Sequence, residues 1–186
     1  KQDDQGNDFI DHVIEISNTW LANDAPKNMQ DVPAKMIFLV DVTTNNGDNF
    51  MKKLTSLQRK HLDKGEKANV KCYKDSKGNL GVERPKVIVS KQPDYMEKVG
   101  TMLGDCVTQT AGDKYIINAP QRFDQAYQAY FLDFVTAIGE NAQDNIDYMR
   151  RLAPDPKRQS LIKDYEKIVK FVEAYKKTPT KRTRAV

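Results

Sequence analysis

The strongest constraint on the fold is the helical period in the last third of the chain. Across residues 161–175, apolar side chains recur in steps of four and three, which is the spacing of a coiled coil. Residues 118–152 repeat aromatic and aliphatic side chains at helical spacing, and the sequence Ala-Pro-Asp-Pro separates the two segments. The sequence therefore predicts two long helices, with Asp155 and Pro156 at the start of the second.

The first third of the chain shows a similar period. Apolar residues recur at i, i+4, i+7 and i+11 across residues 8–23, which predicts a core-facing amphipathic helix. Residues 33–65 are ambiguous, because a short apolar run is followed by an Asn-Asn-Gly-Asp turn and a second helical period. We favour a helix–turn–helix there, and the alternative is a buried strand at residues 36–42.

One stretch favours strands instead of helices. Residues 68–90 contain two β-rich runs around Lys-Asp-Ser-Lys-Gly-Asn, where an acidic side chain and a glycine suit a tight turn. We expect a β-hairpin whose return strand is an edge or broken strand, because Pro85 cannot donate a backbone hydrogen bond. A helix over residues 94–109 should follow and support it. The predicted fold is mainly α, a bundle of about five helices with one small hairpin near residues 68–90.

The two cysteines constrain the compartment. Cys72 lies on the first predicted hairpin strand, and Cys106 lies on the inward stripe of the helix that should support it. A disulfide between them would fasten the hairpin to that helix, and it would place the protein in an oxidising compartment. The alternative is two buried free thiols in a cytosolic protein.

Charge is distributed unevenly along the chain. Residues 1–34 carry seven acidic and two basic residues, whereas residues 176–186 carry five basic residues and no acidic one. We therefore expect one domain at residues 1–175 and a basic C-terminal tail at residues 176–186. No apolar run is long enough to span a membrane. The residues predicted to contact a partner are Lys71, Lys74 and Lys77 on the hairpin, and Lys181, Arg182 and Arg184 in the tail.

One loop carries a possible metal-binding pattern. Asp41, Thr43 and Asn45 follow the apolar run at alternate positions and precede a predicted helix. This Asp-x-Thr-x-Asn stretch resembles the metal-adhesion loop of von Willebrand A-type domains, in which one carboxylate and two hydroxyls hold Mg²⁺. The third position is Asn here, and the resemblance covers about a dozen residues. We interpret the Thr-Asn-Asn-Gly sequence at residues 44–47 as a polar turn and predict no metal.

The remaining sequence offers no set of catalytic residues. There is no glycine-rich phosphate-binding motif, and neither His12 nor His61 can be paired with a nucleophile from the sequence. We therefore predict a protein that is not an enzyme and has no cofactor. Its oligomeric state is left open.

These observations favour a non-enzymatic extracytoplasmic protein, periplasmic or secreted, that acts by binding another protein. An inhibitor, an immunity-type protein or a subunit of an envelope assembly would fit. The alternative is an intracellular subunit of a large complex whose basic tail contacts nucleic acid or an acidic partner.

Overall fold

The chain adopts a mixed α/β fold, and the prediction of a mainly helical bundle is wrong. The computed structural model describes residues 10–18, 21, 23, 29, 31–44, 47–74, 80–91, 94–95, 97–98, 107–110, 114–117 and 125–177. The strands are β1 (His12–Ser17), β2 (Lys35–Thr44), β3 (Ala68–Lys74), β4 (Leu80–Arg84), β5 (Lys86–Lys91), β6 (Val107–Thr110) and β7 (Lys114–Ile117). The helices are α1 (Gly47–Leu57), which continues into a π-helical turn at Gln58–Leu62, α2 (Gln125–Arg150) and α3 (Pro156–Lys176).

A three-stranded sheet in the order β1–β2–β5 forms the centre. β1 pairs antiparallel with β2, and β5 pairs parallel with β2 on its other side. Parallel neighbours need a long crossover connection, and here the segment with α1, β3 and β4 supplies it. β3–β4 and β6–β7 are separate antiparallel pairs.

The predicted helix over residues 8–23 is wrong where the structure describes it, because residues 12–17 form β1. β1 contacts a core cluster on each of its faces, although only Ile16 is buried. Ile14 and Ile16 pack with the larger core cluster, and Val13 packs with the smaller one. A strand covered on both sides shows a near-continuous apolar run instead of alternation, and such a run is easily mistaken for helical spacing.

The first half of the predicted helix–turn–helix is also wrong. Residues 35–44 form β2, so the alternative of a buried strand is correct. Phe38 and Val40 belong to the larger core cluster, whereas Leu39 belongs to the smaller one. The second half of the prediction is confirmed by α1, whose Leu57 is buried.

The hairpin prediction is confirmed for β3 and β4 and wrong for its last strand. β3 and β4 pair antiparallel, as expected. The return strand breaks at Pro85, and the residues after it leave the hairpin to become β5 of the central sheet. The helix predicted over residues 94–109 is wrong at its carboxyl end, because residues 107–110 form strand β6.

The two C-terminal helices are confirmed. α2 and α3 lie within the expected segments, and residues 118–124, where the first was predicted to begin, lie outside the described residues. The Asp155 side chain accepts a 3.0 Å hydrogen bond from the Arg158 N–H, which caps α3. Tyr165 and Phe171 on α3 are fully buried.

The core has two parts, one on each side of the central sheet. The larger cluster joins the sheet to the apolar side chains of α1, α2 and α3. The smaller cluster joins Leu39 to Ala68 and Val82 of the β3–β4 hairpin. The described part of the molecule is thus layered as helices, central sheet and hairpin.

Candidate functional site

The structure brings few of the sequence-predicted site residues into view. Lys71 is exposed on β3, and Lys74 ends that strand. Cys72 lies on β3 as expected, but its side chain lies outside the described part of the structure. Cys106, Lys77 and the tail residues Lys181, Arg182 and Arg184 also lie outside the described residues. The disulfide and both predicted partner-binding regions therefore stay predictions.

Near the carboxyl end of β2, a buried ion pair joins two strands of the central sheet. Lys86 Nζ lies 2.6 Å from Asp41 Oδ2, and their side chains are 11% and 7% exposed. The second oxygen, Asp41 Oδ1, accepts a 3.2 Å hydrogen bond from the backbone N–H of Asp11. Both oxygens of this carboxylate are thus used inside the protein.

A second charged pair closes the edge of β2 beyond the point where its pairing with the first residue of β1 ends. The pairing of β1 with β2 ends at His12 and Val40. Further on, the Val42 N–H donates to Asp11 Oδ2 at 2.9 Å, and Lys53 Nζ donates to the Val42 carbonyl at 2.8 Å. Lys53 also lies 2.8 Å from Asp11 Oδ2. These side chains replace the missing strand neighbour and tie α1 to the sheet.

The electrostatics of Asp11 agree with this arrangement. Burial raises the pKa of its carboxyl, but the hydrogen bonds from Lys53 and Val42 lower it more, so the pKa lies below its ordinary value. Asp11 is therefore charged at neutral pH and serves as a fixed anion for the sheet edge.

The first residue of the metal-loop pattern is already paired with a cationic side chain of the protein. Asp41, its first position, is paired with the Lys86 ammonium, and Thr43 is buried in β2. Asn45, its third position, lies outside the described residues. Within the ranges that the structure describes, no three His, Cys, Asp or Glu side chains are grouped to hold a metal ion. The ion pair gives the Asp41 carboxylate a structural role.

The outer side of α1 presents a different kind of surface. Lys52, Arg59 and Lys60, which we call the basic face, are exposed. None of these three side chains forms an ion pair with another described residue, unlike Lys53 on the same helix. The basic face borders an open cleft of about 690 Å³, whose described lining is Asp48, Met51, Lys52, Thr55, Ser56, Arg59 and Lys60.

Two residues of the basic face, Arg59 and Lys60, lie on the π-helical turn. The Asp63 N–H donates to the Gln58 carbonyl at 2.9 Å, five residues back, and the Glu66 N–H donates to the His61 carbonyl at 2.9 Å. The wider turn buries both His61 and Leu62 and leaves Arg59 and Lys60 in solvent. Such turns are rare, and they occur frequently at functional sites.

Sequence reasoning missed the basic face, although one signal pointed to it. Counted from Lys52, Arg59 is seven residues and Lys60 eight residues further along the chain. The apolar period at residues 50–61 correctly predicted a helical segment there. Residues at that spacing share one side of a helix. What the sequence did not contain was that these cations form no ion pair with another residue in the part of the chain that the structure describes.

Comparison of the chain with protein-family models, with curated proteins and with solved structures found no match. Among the described helices, none combines the length and the apolar character that crossing a membrane requires. Among the described residues, the chemistry of the basic face is the feature that points to a function.

Proposed function

We propose that the protein is a non-enzymatic interaction protein that binds an acidic surface of another protein through the basic face of α1. The observation that carries the proposal is the group of three exposed cations, Lys52, Arg59 and Lys60, which lack ion-pair partners among the described residues and border one open cleft. Such a group favours anionic partners and speeds their association.

The chemistry around the basic face favours a protein partner over nucleic acid. Met51 is 54% exposed, and an exposed methionine suits an adaptable apolar contact with a protein. No aromatic side chain appears in the described lining of the cleft to stack on a base.

Binding is proposed in place of catalysis because the two carboxylates near the end of β2, the buried Asp41 and the exposed Asp11, are both engaged. Asp41 is paired with Lys86, and Asp11 is paired with Lys53. A general acid or base needs a proton-transferring atom that can reach a substrate. These two carboxylates instead support the sheet.

The proposal is tested by reversing the charges of the basic face. The variant K52E/R59E/K60E should bind a fluorescein-labelled oligoglutamate peptide at least about tenfold more weakly than the wild type at low ionic strength, since each attraction becomes a repulsion. Fluorescence anisotropy measures this affinity. The matched control R151E/K163E/K177E reverses one arginine and two lysines that are also exposed.

Three outcomes are informative. A loss confined to K52E/R59E/K60E supports the proposal. Equal losses in the two variants would mean that only net charge matters, and the proposal would be wrong. Tighter binding of wild type to a DNA duplex than to oligoglutamate at physiological salt would favour the nucleic-acid alternative instead.

We further propose that the protein works outside the cytoplasm, in the periplasm or after secretion. This part depends on the predicted Cys72–Cys106 disulfide. Intact-mass analysis of natively isolated protein, alkylated before and after reduction, measures it. We expect no alkylation before reduction and two alkyl groups after it, whereas two alkyl groups in both samples would favour the intracellular alternative.

A further inference from the structure

The π-helical turn that carries Arg59 and Lys60 is fastened from behind to the α2–α3 region. The Tyr148 hydroxyl on α2 donates a 2.7 Å hydrogen bond to Asp63 Oδ1, directly after the turn. Arg158 Nη1 on α3 donates to the Asp63 carbonyl at 2.6 Å. Two helices thus hold the residue that follows the turn through its side chain and its backbone.

The donors themselves are held in place. Arg158 Nη2 donates to the Ala153 carbonyl at 2.5 Å, so its guanidinium bridges the turn and the α2–α3 connection. The hydrogen bond to Asp63 is the main reason that the pKa of the Tyr148 hydroxyl is raised, with burial adding to it. Tyr148 therefore keeps its proton, and keeps donating, well above neutral pH.

Close packing adds a third restraint. Gly65 has φ +66°, and a Cβ atom placed on it would lie 2.4 Å from the Arg158 backbone nitrogen. Only glycine allows the chain to turn this close to the start of α3. The segment after the π-helical turn thus has little freedom to shift against the helices.

We infer that Tyr148 and Arg158 are positioning residues, which hold the π-helical turn so that Arg59 and Lys60 are preorganised for an acidic group of the partner. This inference rests on the proposed function. A π-helical turn is seldom stable alone, so contacts behind it must maintain it. Holding binding groups in the bound geometry improves affinity because less ordering remains to be done on binding.

The inference is tested with a pair of tyrosine variants that each lose the hydrogen bonding of a phenol hydroxyl. Y148F removes the donor to Asp63, while Y165F removes a 2.6 Å hydrogen bond from Tyr165 to the Lys86 carbonyl in the core. Both keep the aromatic ring, and Y165F should be at least as destabilised as Y148F, because Tyr165 is fully buried and its hydroxyl also contacts Asn145. Thermal unfolding checks that both variants are folded.

We expect Y148F to bind the oligoglutamate probe about three- to tenfold more weakly than wild type, and Y165F to stay within about twofold. Amide hydrogen exchange at residues 58–66 should accelerate in Y148F only. If Tyr148 had only a structural role, Y148F and Y165F would bind the probe with similar affinity.

Two results would overturn the inference. One is an equal change in affinity for Y148F and Y165F, and the other is unchanged exchange at residues 58–66 in Y148F. Failure of the proposed function looks different, because wild type itself would then not bind oligoglutamate. If wild type binds and Y148F binds as well, the proposed function stands and the positioning role is wrong.

Discussion

At the scale of single residues, Asp41 and Lys86 are the charges whose loss should cost most. Their side chains lie 2.6 Å apart and are nearly inaccessible to solvent, so removing one partner leaves the other charged and buried. K86M should lower the free energy of unfolding by about 3–5 kcal/mol, measured by urea denaturation. The double variant D41L/K86M should recover most of that loss.

An exposed pair provides the comparison for this prediction. Lys35 and Glu15 also lie 2.6 Å apart, but their side chains are 42% and 23% exposed. K35M should therefore change the stability by less than about 1 kcal/mol, because solvent screens the pair. Similar losses in K35M and K86M would contradict the account of Asp41 as a structural anion.

At the scale of elements, the contact between α2 and α3 depends on Gly139. A Cβ atom added there would lie 2.8 Å from Val172 Cγ1, closer than side chains pack. G139A should therefore destabilise the protein by about 1–3 kcal/mol, although alanine favours a helix more than glycine does. Thermal or urea unfolding measures the effect, and V172A in the same chain should relieve it.

Gly47 is the matched control for this substitution. It begins α1, and a Cβ atom added there meets no atom within 4 Å. G47A should leave stability unchanged or raise it by up to about 1 kcal/mol, through a less flexible unfolded chain. If G47A and G139A have the same effect, crowding against Val172 is not the cause.

The elements also differ in how well the sequence predicted them. α2 and α3 each bury one side only, so their period is clear, and Asp155 marks the start of α3 as expected. β1 and β2 are covered by helices on one face and by the hairpin on the other, so their sequences carry no alternation to identify a strand. Pro85 indicated a broken strand, but not that β5 would join another sheet.

At the scale of the whole molecule, the sequence predicted basic partner-binding residues but not where the structure offers a binding surface. It placed them on the hairpin and in the tail, because clusters of like charge are visible in sequence. The basic face could not be identified in this way, because it consists of cations that form no ion pair with another described residue in the folded chain. Lys52 and Lys53 are neighbours in sequence, yet Lys53 contacts Asp11 while Lys52 borders the open cleft.

The measurement that tests the central proposal most directly is an NMR titration of ¹⁵N-labelled protein with the oligoglutamate peptide at physiological salt. The proposal predicts that the amide shifts that change cluster on α1 and the π-helical turn, around Lys52, Arg59 and Lys60. Changes confined to Lys71, Lys74 and Lys77, or to the tail at residues 176–186, would contradict it.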